Sequence, residues 1–351
     1  MKIAVLVSGG VDSSVALALL QKQGHDVHAF YLKIWLEDDV SYLGTCPWQE
    51  DLEYVQKVCS QLHIPLKIIN LQKHYWERVV SYAIAEVKQG RTPNPDMLCN
   101  ATVKFDAFFD AIDDSFEKVA TGHYADIEKT PHGYKLKRVR DPIKDQTYFL
   151  ARMSQKQLAR ALFPLAPYTK QEIRQLAQTF QLPNKDRKDS QGICFLGKIK
   201  YSDFLEHYLG TKPGDIIDID TQKKVGTHKG YWFYTLGQRR AIGEGLNHGP
   251  WYVVKKDAQK NIIYISNNYE QKQRNSFWVK NINWIPTQPP LTKLKVKLRH
   301  GKQIYSCTIK QENDEYFVQI DGNDQGIAPG QFAVFYDDFY CYGGGIIEEK
   351  D

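Results

Sequence analysis

No stretch of this 351-residue chain approaches the roughly 20 consecutive apolar residues that a helix needs to cross a bilayer. The sequence enters an apolar strand directly after Met1-Lys2, so no targeting segment is expected and the chain is placed in a cytoplasm or an organelle stroma. Cysteine is sparse: six residues at irregular positions (46, 59, 99, 194, 307, 341) make no disulfide framework for a protein of this size. There is no Cys-x-x-Cys pair, which argues against a tetrathiolate zinc site. Gly-x-Gly-x-x-Gly and the Gly-Lys-Ser/Thr of a P-loop are also missing, as are long repeats and low-complexity segments. The formal net charge is only +5, too small by itself to imply nucleic acid. Acid is absent in one place, however: residues 271–310 hold Lys272, Arg274, Lys280, Lys293, Lys295, Lys297, Arg299, Lys302 and Lys310 and no Asp or Glu. That run is either a set of solvated strand faces or a surface for a phosphate backbone.

What is present begins at the first residues. Ile3-Ala4-Val5-Leu6-Val7 is apolar and β-branched, as in a buried parallel strand. Ser8-Gly9-Gly10-Val11-Asp12-Ser13 follows, and the next residues, 15–20, read as a helix closed by Gly24. Strand, tight loop and helix aim backbone N–H groups and a helix N-terminus at an anion. Gly9 and Gly10 let a phosphate approach the backbone, and Ser8 and Ser13 offer hydroxyls. Asp12 suits a Mg²⁺ carried with the phosphate, or a helix cap. The loop resembles the pyrophosphate loop of the N-type ATP pyrophosphatases, which cleave ATP between its α and β phosphates.

Strands at 26–32 and 66–71, a helix at 49–62 and a further β–α pair beginning at Lys118 predict a doubly wound parallel sheet with its ligand at the carboxyl ends of the strands. Gly122 and Leu32 end two of those strands, where a nucleotide can lie against the backbone and an adenine edge can be read. Gly90 to Asn100 breaks the pattern with Pro93, Asn94, Pro95 and Asp96 and leads into a helix at 102–112. Cys99 therefore falls near a helix start, where a thiolate is stabilised; the alternative is a small buried cysteine. Cys194, after the charged stretch 185–191, poses the same choice. Helices at 155–163 and 170–180 follow, the second with a Thr169/Glu172 capping box. After Gly210 short strands take over: 215–219, 231–236, 251–255 and 262–266 in one unit, then 277–282, 293–300, 305–310, 316–320 and 331–336 in a small barrel. Residues 293–299 alternate apolar and cationic, which predicts a solvent-facing basic strand.

Taken together the motifs resemble the tRNA-specific 2-thiouridylases, enzymes that place sulfur on uridine 34 of certain tRNAs. The resemblance spans nearly the whole chain and rests on Ser8–Ser13, Asn94-Pro95-Asp96 with Cys99-Asn100, Thr121-Gly122-His123-Tyr124-Ala125, Lys144-Asp145-Gln146, Asp189-Ser190 with Gly192-Ile193-Cys194-Phe195, Leu236 to Arg240, Pro250 to Val253, Pro329-Gly330-Gln331 and Gly343-Gly344-Gly345. One departure is His300, where the family commonly has Tyr. The resemblance implies an α/β catalytic domain with the pyrophosphate loop (1–205), a central β-rich domain (206–271) and a C-terminal β-barrel for tRNA (272–351). It implies ATP held by Leu6, Val7, Ser8, Gly9, Gly10, Val11, Asp12, Ser13, Leu32 and Gly122, with Mg²⁺ and no bound prosthetic group. It implies catalysis by Cys99, Cys194 and Asp96, and tRNA contacts from Asn94, Pro95, Asp96, Lys144, Asp145, Gln146, Arg299 and His300. A sulfur-donor protein, an anticodon stem-loop and a monomeric enzyme complete the expectation. Two other classes share parts of the pattern: a pyrophosphate-loop ligase or amidotransferase acting on a small molecule, which has no use for two distant thiols, and a tRNA-binding protein that holds ATP without cleaving it.

Overall fold

The structure, a computed structural model, describes residues 1–34, 48–189, 199–239, 242, 249–268, 274–289, 294–324 and 326–349. Cys194 and its flanking motif, Arg240 and part of the basic run (Lys272, Lys293) lie outside the described residues.

The N-terminal part is built on a five-stranded parallel sheet. Its strands are β1 (Lys2–Leu6), β2 (Asp26–Lys33), β3 (Leu66–Asn70), β4 (Lys118–Ala120) and, after the hairpin described below, β7 (Ala161–Leu162), in the order β3-β2-β1-β4-β7. Helices α1 (Val11–Lys22) and α2 (Trp48–Leu62) follow β1 and β2. Alternation along β1 explains why both faces are apolar: Ala4 and Leu6 enter one core with Phe30 and Val119, while Ile3 and Val5 enter the other with Ala29 and Ala120. The order reverses between β1 and β4, so the crevice at their carboxyl ends is the topological switch point where such sheets take ligands.

The middle unit is a four-stranded sheet, β10-β11-β8-β9, formed by β8 (Gly214–Asp218), β9 (Lys224–His228), β10 (Tyr252–Asp257) and β11 (Ile262–Ser266). The strand expected at 231–236 is instead a 3₁₀ turn over Tyr231–Phe233. Its aromatic side chains serve the domain junction rather than a ladder: Trp232 and Phe233 pack on the first core, and the Tyr231 hydroxyl donates to Lys88 O. β9 went unpredicted because Lys-Val-Gly-Thr-His carries almost no apolar alternation.

Six strands close the C-terminal barrel: β12 (Arg274–Trp284), β13 (Leu294–Lys297), β14 (Tyr305–Glu312), β15 (Glu315–Asp324), β16 (Phe332–Tyr336) and β17 (Tyr340–Glu348), with β12 pairing to both β15 and β17. A register shift between Lys280 and Asn283, with Asn281 at φ +52°, bends β12 between its two partners, as bulges do at barrel corners. The Gly343-Gly344-Gly345 run is where β17 crosses close to its neighbours. A Cβ would overlap Asn283 O at Gly343 (φ +101°), and would lie 2.7 Å from Ala333 O at Gly344 and 2.6 Å from Lys280 O at Gly345.

Two features tie the barrel to the catalytic part. The hairpin of β5 (Asp126–Thr130) and β6 (Gly133–Lys137) leaves the N-terminal part and pairs with β17 through Tyr340↔Lys137 and Cys341↔Leu136. One core also runs across both, with Leu136, Tyr148 and Met153 packed with Phe332, Val334 and Tyr336. The basic strand differs from its expectation. Leu294, Val296 and Leu298 do face the barrel core, but Lys297 on the opposite face is covered, only 3% exposed and with its ammonium 5.7 Å from the Tyr336 ring centre. Burial pushes its pKa down. Arg138 just past β6 and Asp145 of the catalytic part stand around it, which the strand's own sequence cannot reveal. Carboxylates later in the chain meet other cations of the run, among them Lys280, Arg274, Arg299 and Lys295.

Gly343→Ala is expected to lower stability by about 2–4 kcal/mol, since it adds a positive-φ penalty to an unavoidable overlap with a neighbouring strand. Urea unfolding followed by tryptophan fluorescence checks this; a midpoint equal to wild type means the crossing tolerates a side chain.

Candidate nucleotide and RNA site

The loop after β1 is held in shape from outside. Gly9 takes φ +76°, and its carbonyl accepts from Asn184 Nδ2 (2.8 Å) and Arg187 Nη1 (3.1 Å). Asn184 also donates to Ser14 Oγ (2.9 Å), and Arg187 is anchored on Asp51 (2.5 Å). A Cβ on Gly9 would sit 2.6 Å from Asp51 O, so glycine is required twice there, by conformation and by space. Ser13 Oγ accepts from Ser8 N (3.2 Å) and donates to Gly10 O (3.1 Å), which draws the loop over the start of α1. The N-cap residue of α1 is Gly10 and no side chain caps the helix, which leaves its first-turn amides for an anion. Gly122, two residues past β4, closes the other wall: a Cβ would lie 2.7 Å from Ser13 N. Backbone from both strands' ends thus meets at the switch point, beside the uncapped first turn of α1, a polar setting suited to an anion. Leu32 stands near the carboxyl end of β2 and is half-buried against the first core.

Asp12 is not a cap. Its carboxylate accepts from Lys170 Nζ (2.6 Å) and from the Tyr124 hydroxyl (3.1 Å). Lys170 also reaches Asp189 (2.8 Å), which in turn holds Lys144 (2.8 Å) and Arg174. Burial works against the Asp189 charge, but Lys144 and Lys170 keep its carboxyl far below the usual range. Lys170, Asn184 and Arg187 had no signal of their own in the sequence beyond a capping box and a charged stretch.

The second part of the site is the loop at 90–96. Asn94 caps the short helix Pro95–Leu98, accepting from Met97 N (3.4 Å). The chain then continues without a break into a π-helical segment, Cys99–Ala107. Of the two readings the sequence leaves open for Cys99, the structure shows the buried cysteine. The helix has already started at Pro95, so Cys99 does not meet unpaired first-turn amides; it is fully buried. Desolvation pushes its thiol up to about 11, with Asp96 adding to the shift and Lys104 opposing it. The loop is bolted to the barrel. Gln331 Nε2 donates to Thr92 O (3.0 Å) and Pro93 O (3.2 Å), and Thr92 N donates to Pro329 O (2.8 Å). Arg91 donates to both oxygens of Glu348 (2.7 and 2.8 Å) and to Glu86 (2.7 Å).

Of the expected RNA-binding triplet, Lys144 is half-exposed while its neighbours turn inward. Asp145 is a correction as an RNA contact: it is 1% exposed, and its carboxylate accepts from Arg138 Nε (2.9 Å), Thr147 N (3.0 Å) and Thr147 Oγ1 (2.6 Å). A buried acid would repel a phosphate; this one fixes Arg138 and the turn behind Lys144. Gln146 Oε1 accepts from Tyr124 N (3.0 Å). From the barrel, Arg299 is exposed and forms a forked pair with Asp324 (2.9 and 3.0 Å), beside Gly326, where a Cβ would overlap the guanidinium. The His300 ring lies 4.6 Å from that of Phe149. Desolvation and Lys297 push its pKa down, against Asp145 and Asp96. Asp96, Lys144 and His300 thus share one field, and the structure brings the three RNA-associated stretches together around Tyr148 and Phe149. Cys194 cannot be set against them, lying outside the described residues.

A strand, a phosphate-type loop and an uncapped helix start at the switch point of a parallel sheet, joined through the middle unit to a six-stranded barrel, define the class: a pyrophosphate-loop nucleotide enzyme with an appended β-barrel. The chain matches three family descriptions in series: tRNA methyl transferase HUP domain over residues 1–198, tRNA methyl transferase PRC-barrel domain over 202–267, and Aminomethyltransferase beta-barrel domain over 274–347. It is 43% identical over 362 residues to the tRNA-specific 2-thiouridylase MnmA of Parabacteroides distasonis, covering 100% of this chain and 99% of that one. It is 41% identical over 360 residues to the enzyme of the same name from Porphyromonas gingivalis, covering 99% of each. Among solved structures, a U34-tRNA thiolase from Methanococcus maripaludis shares 16% identity with a TM-score of 0.35, covering 59% of this chain and 67% of that one, too distant to bear on function. The chain belongs to the tRNA-specific 2-thiouridylase family.

Alkylation of Cys99 in the ligand-free protein tests the burial argument. Iodoacetamide labelling, read by peptide mass spectrometry, is expected to be slow at pH 7.5 and to rise about tenfold per pH unit to beyond pH 9. A plateau below pH 8 would mean a stabilised thiolate.

Proposed function

We propose that this chain is an ATP-dependent tRNA-uridine 2-sulfurtransferase that replaces the 2-oxygen of uridine 34 with sulfur. One observation carries the reading: the Asn94–Asp96 loop, Lys144 and the Arg299–His300 strand end, from two domains, converge around Tyr148 and Phe149 on a chain whose first strand ends in a phosphate cradle. A carbonyl oxygen is a poor leaving group. Uridine O2 therefore attacks the α-phosphorus of ATP, the bond to the bridging oxygen breaks, and pyrophosphate departs. The amides that open α1, with Ser8 and Ser13, stabilise the charge on that leaving group. Asp12 is the carboxylate at the loop and suits a Mg²⁺ held mainly by the phosphates, which would neutralise charge as pyrophosphate leaves.

Sulfur arrives on Cys194 as a persulfide from a donor protein. Cys99 attacks the inner sulfur of that persulfide, forming a Cys99–Cys194 disulfide and releasing hydrosulfide, which adds to C2 and expels AMP. An external dithiol then reduces the disulfide, which restores both thiols and balances the two electrons. The resting Cys99 thiol carries a proton, so its use requires a base. Asp96, three residues earlier on the same helical stretch, fills that role. Target-base contact falls to Asn94, Pro95 and Asp96, and the uridine must leave the anticodon stack to reach them. Lys144 and Arg299 contact phosphates, and His300 offers a stacking face. Among the described residues no helix is long and apolar enough to cross a membrane. We place the enzyme in the cytoplasm as a monomer.

Single-turnover thiolation decides this reading. U34 tRNA, ATP, Mg²⁺ and a cysteine desulfurase are mixed with wild type, Cys99→Ser and Cys194→Ser, following AMP and thiolated tRNA by gel shift. Wild type is expected to form 2-thiouridine, and each variant to lose at least about 1,000-fold in rate while still releasing pyrophosphate. Normal thiolation by Cys194→Ser removes that residue from the sulfur path. ATP cleavage without any tRNA product removes the substrate assignment.

A further inference from the structure

The outer wall of the barrel carries an aromatic pair that the site described above does not use. On β12, Phe277 and Val279 enter the barrel core, and on β15 Tyr316 and Val318 do the same. Side chains alternate along a strand, so Trp278 and Phe317 point away from that core. They stand directly opposite each other in the ladder, with ring centres 5.4 Å apart, and both are half-exposed. Lys310 of β14 lies opposite Phe317 and extends the row with an exposed cation. Two adjacent rings left partly in water retain apolar area whose burial is favourable.

Beside the pair is a cavity of about 160 Å³, open to solvent on one side, with Arg274, Ser276, Trp278, Phe317, Pro329 and Glu348 among its walls. Its place in the molecule ties it to the RNA face. Arg274 stands opposite Asp324 in the ladder, and Asp324 holds Arg299, so the cavity lies at the barrel end that presents Arg299. Pro329 O accepts from Thr92 N (2.8 Å), and Glu348 holds Arg91. Another wall of the cavity therefore backs directly onto the loop that leads to Asn94 and Asp96. The volume argues for one unit of a polymer: pockets that enclose a whole small molecule run to roughly 300–1,000 Å³. Arg274, part-exposed at the rim and paired with Glu349 (2.7 Å), brings a cation to the open side.

We propose that this cavity is a second nucleotide subsite for the RNA, in which an unpaired base outside the target position stacks on Trp278 and Phe317 with its phosphate toward Arg274. The inference rests on the reading of this chain as a tRNA enzyme. Every base has a face that stacks on an aromatic ring, so the subsite adds affinity and fixes the register of the RNA strand without selecting a base.

Two measurements on the full chain test it. In the first, wild type is footprinted with hydroxyl radicals, with and without U34 tRNA, and read by peptide mass spectrometry. Trp278 and Phe317 are expected to lose most of their oxidation when tRNA is bound, while Ile68, exposed on β3, keeps its own. In the second, tRNA affinity is measured by fluorescence anisotropy across a salt series for wild type, Trp278→Thr and Trp278→Phe. Trp278→Thr is expected to weaken binding by about 5- to 100-fold, the loss of one stacked base. Trp278→Phe is expected to recover most of that loss, because a ring remains. The slope of log Kd against log salt is expected to stay at the wild-type value, since stacking releases no counterions. Equal oxidation of both rings with and without bound tRNA overturns the proposal. So does wild-type affinity in Trp278→Thr, or a loss accompanied by a shallower salt slope, which would trace it to displaced cations. Should Trp278→Thr melt far below wild type, Phe317→Thr is put through the same series against the same expectations, and the footprint of wild type needs no variant. Failure of wild type to bind U34 tRNA at all overturns the tRNA reading and this inference together; binding that leaves the two rings unprotected overturns this inference alone.

Discussion

The structure depends on how the loop from Gly90 to Asp96 is fastened to the barrel. Arg91 sits between Glu86 of its own part and Glu348 of β17, donating to both oxygens of the latter. All three side chains are largely buried, so the pairing is not the screened, weak contact of a surface ion pair. Removing one partner would leave a charge in a poorly solvated place. Gln331 adds two hydrogen bonds to carbonyls at Thr92 and Pro93. At Gly330, φ +90°, an added Cβ would lie 3.0 Å from Thr92 N, so the barrel backbone closes directly on the loop. The register of the loop is therefore set by the last strands of the chain. Asn94, Asp96 and Cys99 inherit their positions from residues about 240 places later in sequence.

The same economy appears at the nucleotide end. The Gly9 conformation is uncommon, and it is maintained by Asn184 and Arg187 from a segment far along the chain. Asp189 follows two residues later and gathers the cations around the cradle. One short stretch thus shapes the phosphate loop, balances Asp12 through Lys170 and leads directly into the residues that carry Cys194.

Much of this was legible in sequence where local chemistry decides. The strand–loop–helix at Ile3 to Leu20 is specified by β-branched residues, glycines and a helix period. The Thr169 capping box was read from two residues and is present as read. Alternation in 293–299 correctly marked Leu294, Val296 and Leu298 as core. It failed for Lys297 because period-two patterning says which side chains share a face, not what covers that face. The groups around Lys297 come from elsewhere in the chain, Arg138 just past β6, Asp145 of the catalytic part and Tyr336 of β16. For Cys99 the sequence left a helix-start thiolate and a buried thiol both open, because burial under residues of distant elements cannot be read locally; the structure shows the buried one. Desolvation then outweighs the local field and reverses the shift. Asp145 enters beside Lys144 only through the family resemblance, and the structure turns it inward while Lys144 faces out.

These reversals bear on the chemistry. A thiol held protonated and buried is inert to adventitious oxidants, which, in the mechanism we propose, suits a cysteine that reacts once per cycle and only beside its partner. Exposure of that thiol must then accompany arrival of the substrate, and the elements around it supply a means. The π-helical segment that begins at Cys99 departs from helical geometry at Phe105, and such segments are strained relative to an α-helix and recur at functional sites. Its N-terminal end is the Asn94–Asp96 turn that meets the target base in our reading. Binding energy released by a base entering that turn is applied within one helical turn of the thiol, while Arg91 and Gln331 hold the rest of the loop fixed against the barrel. The rigid side and the yielding side of Cys99 are thus set by different forces, buried ion pairs on one and a strained helix on the other.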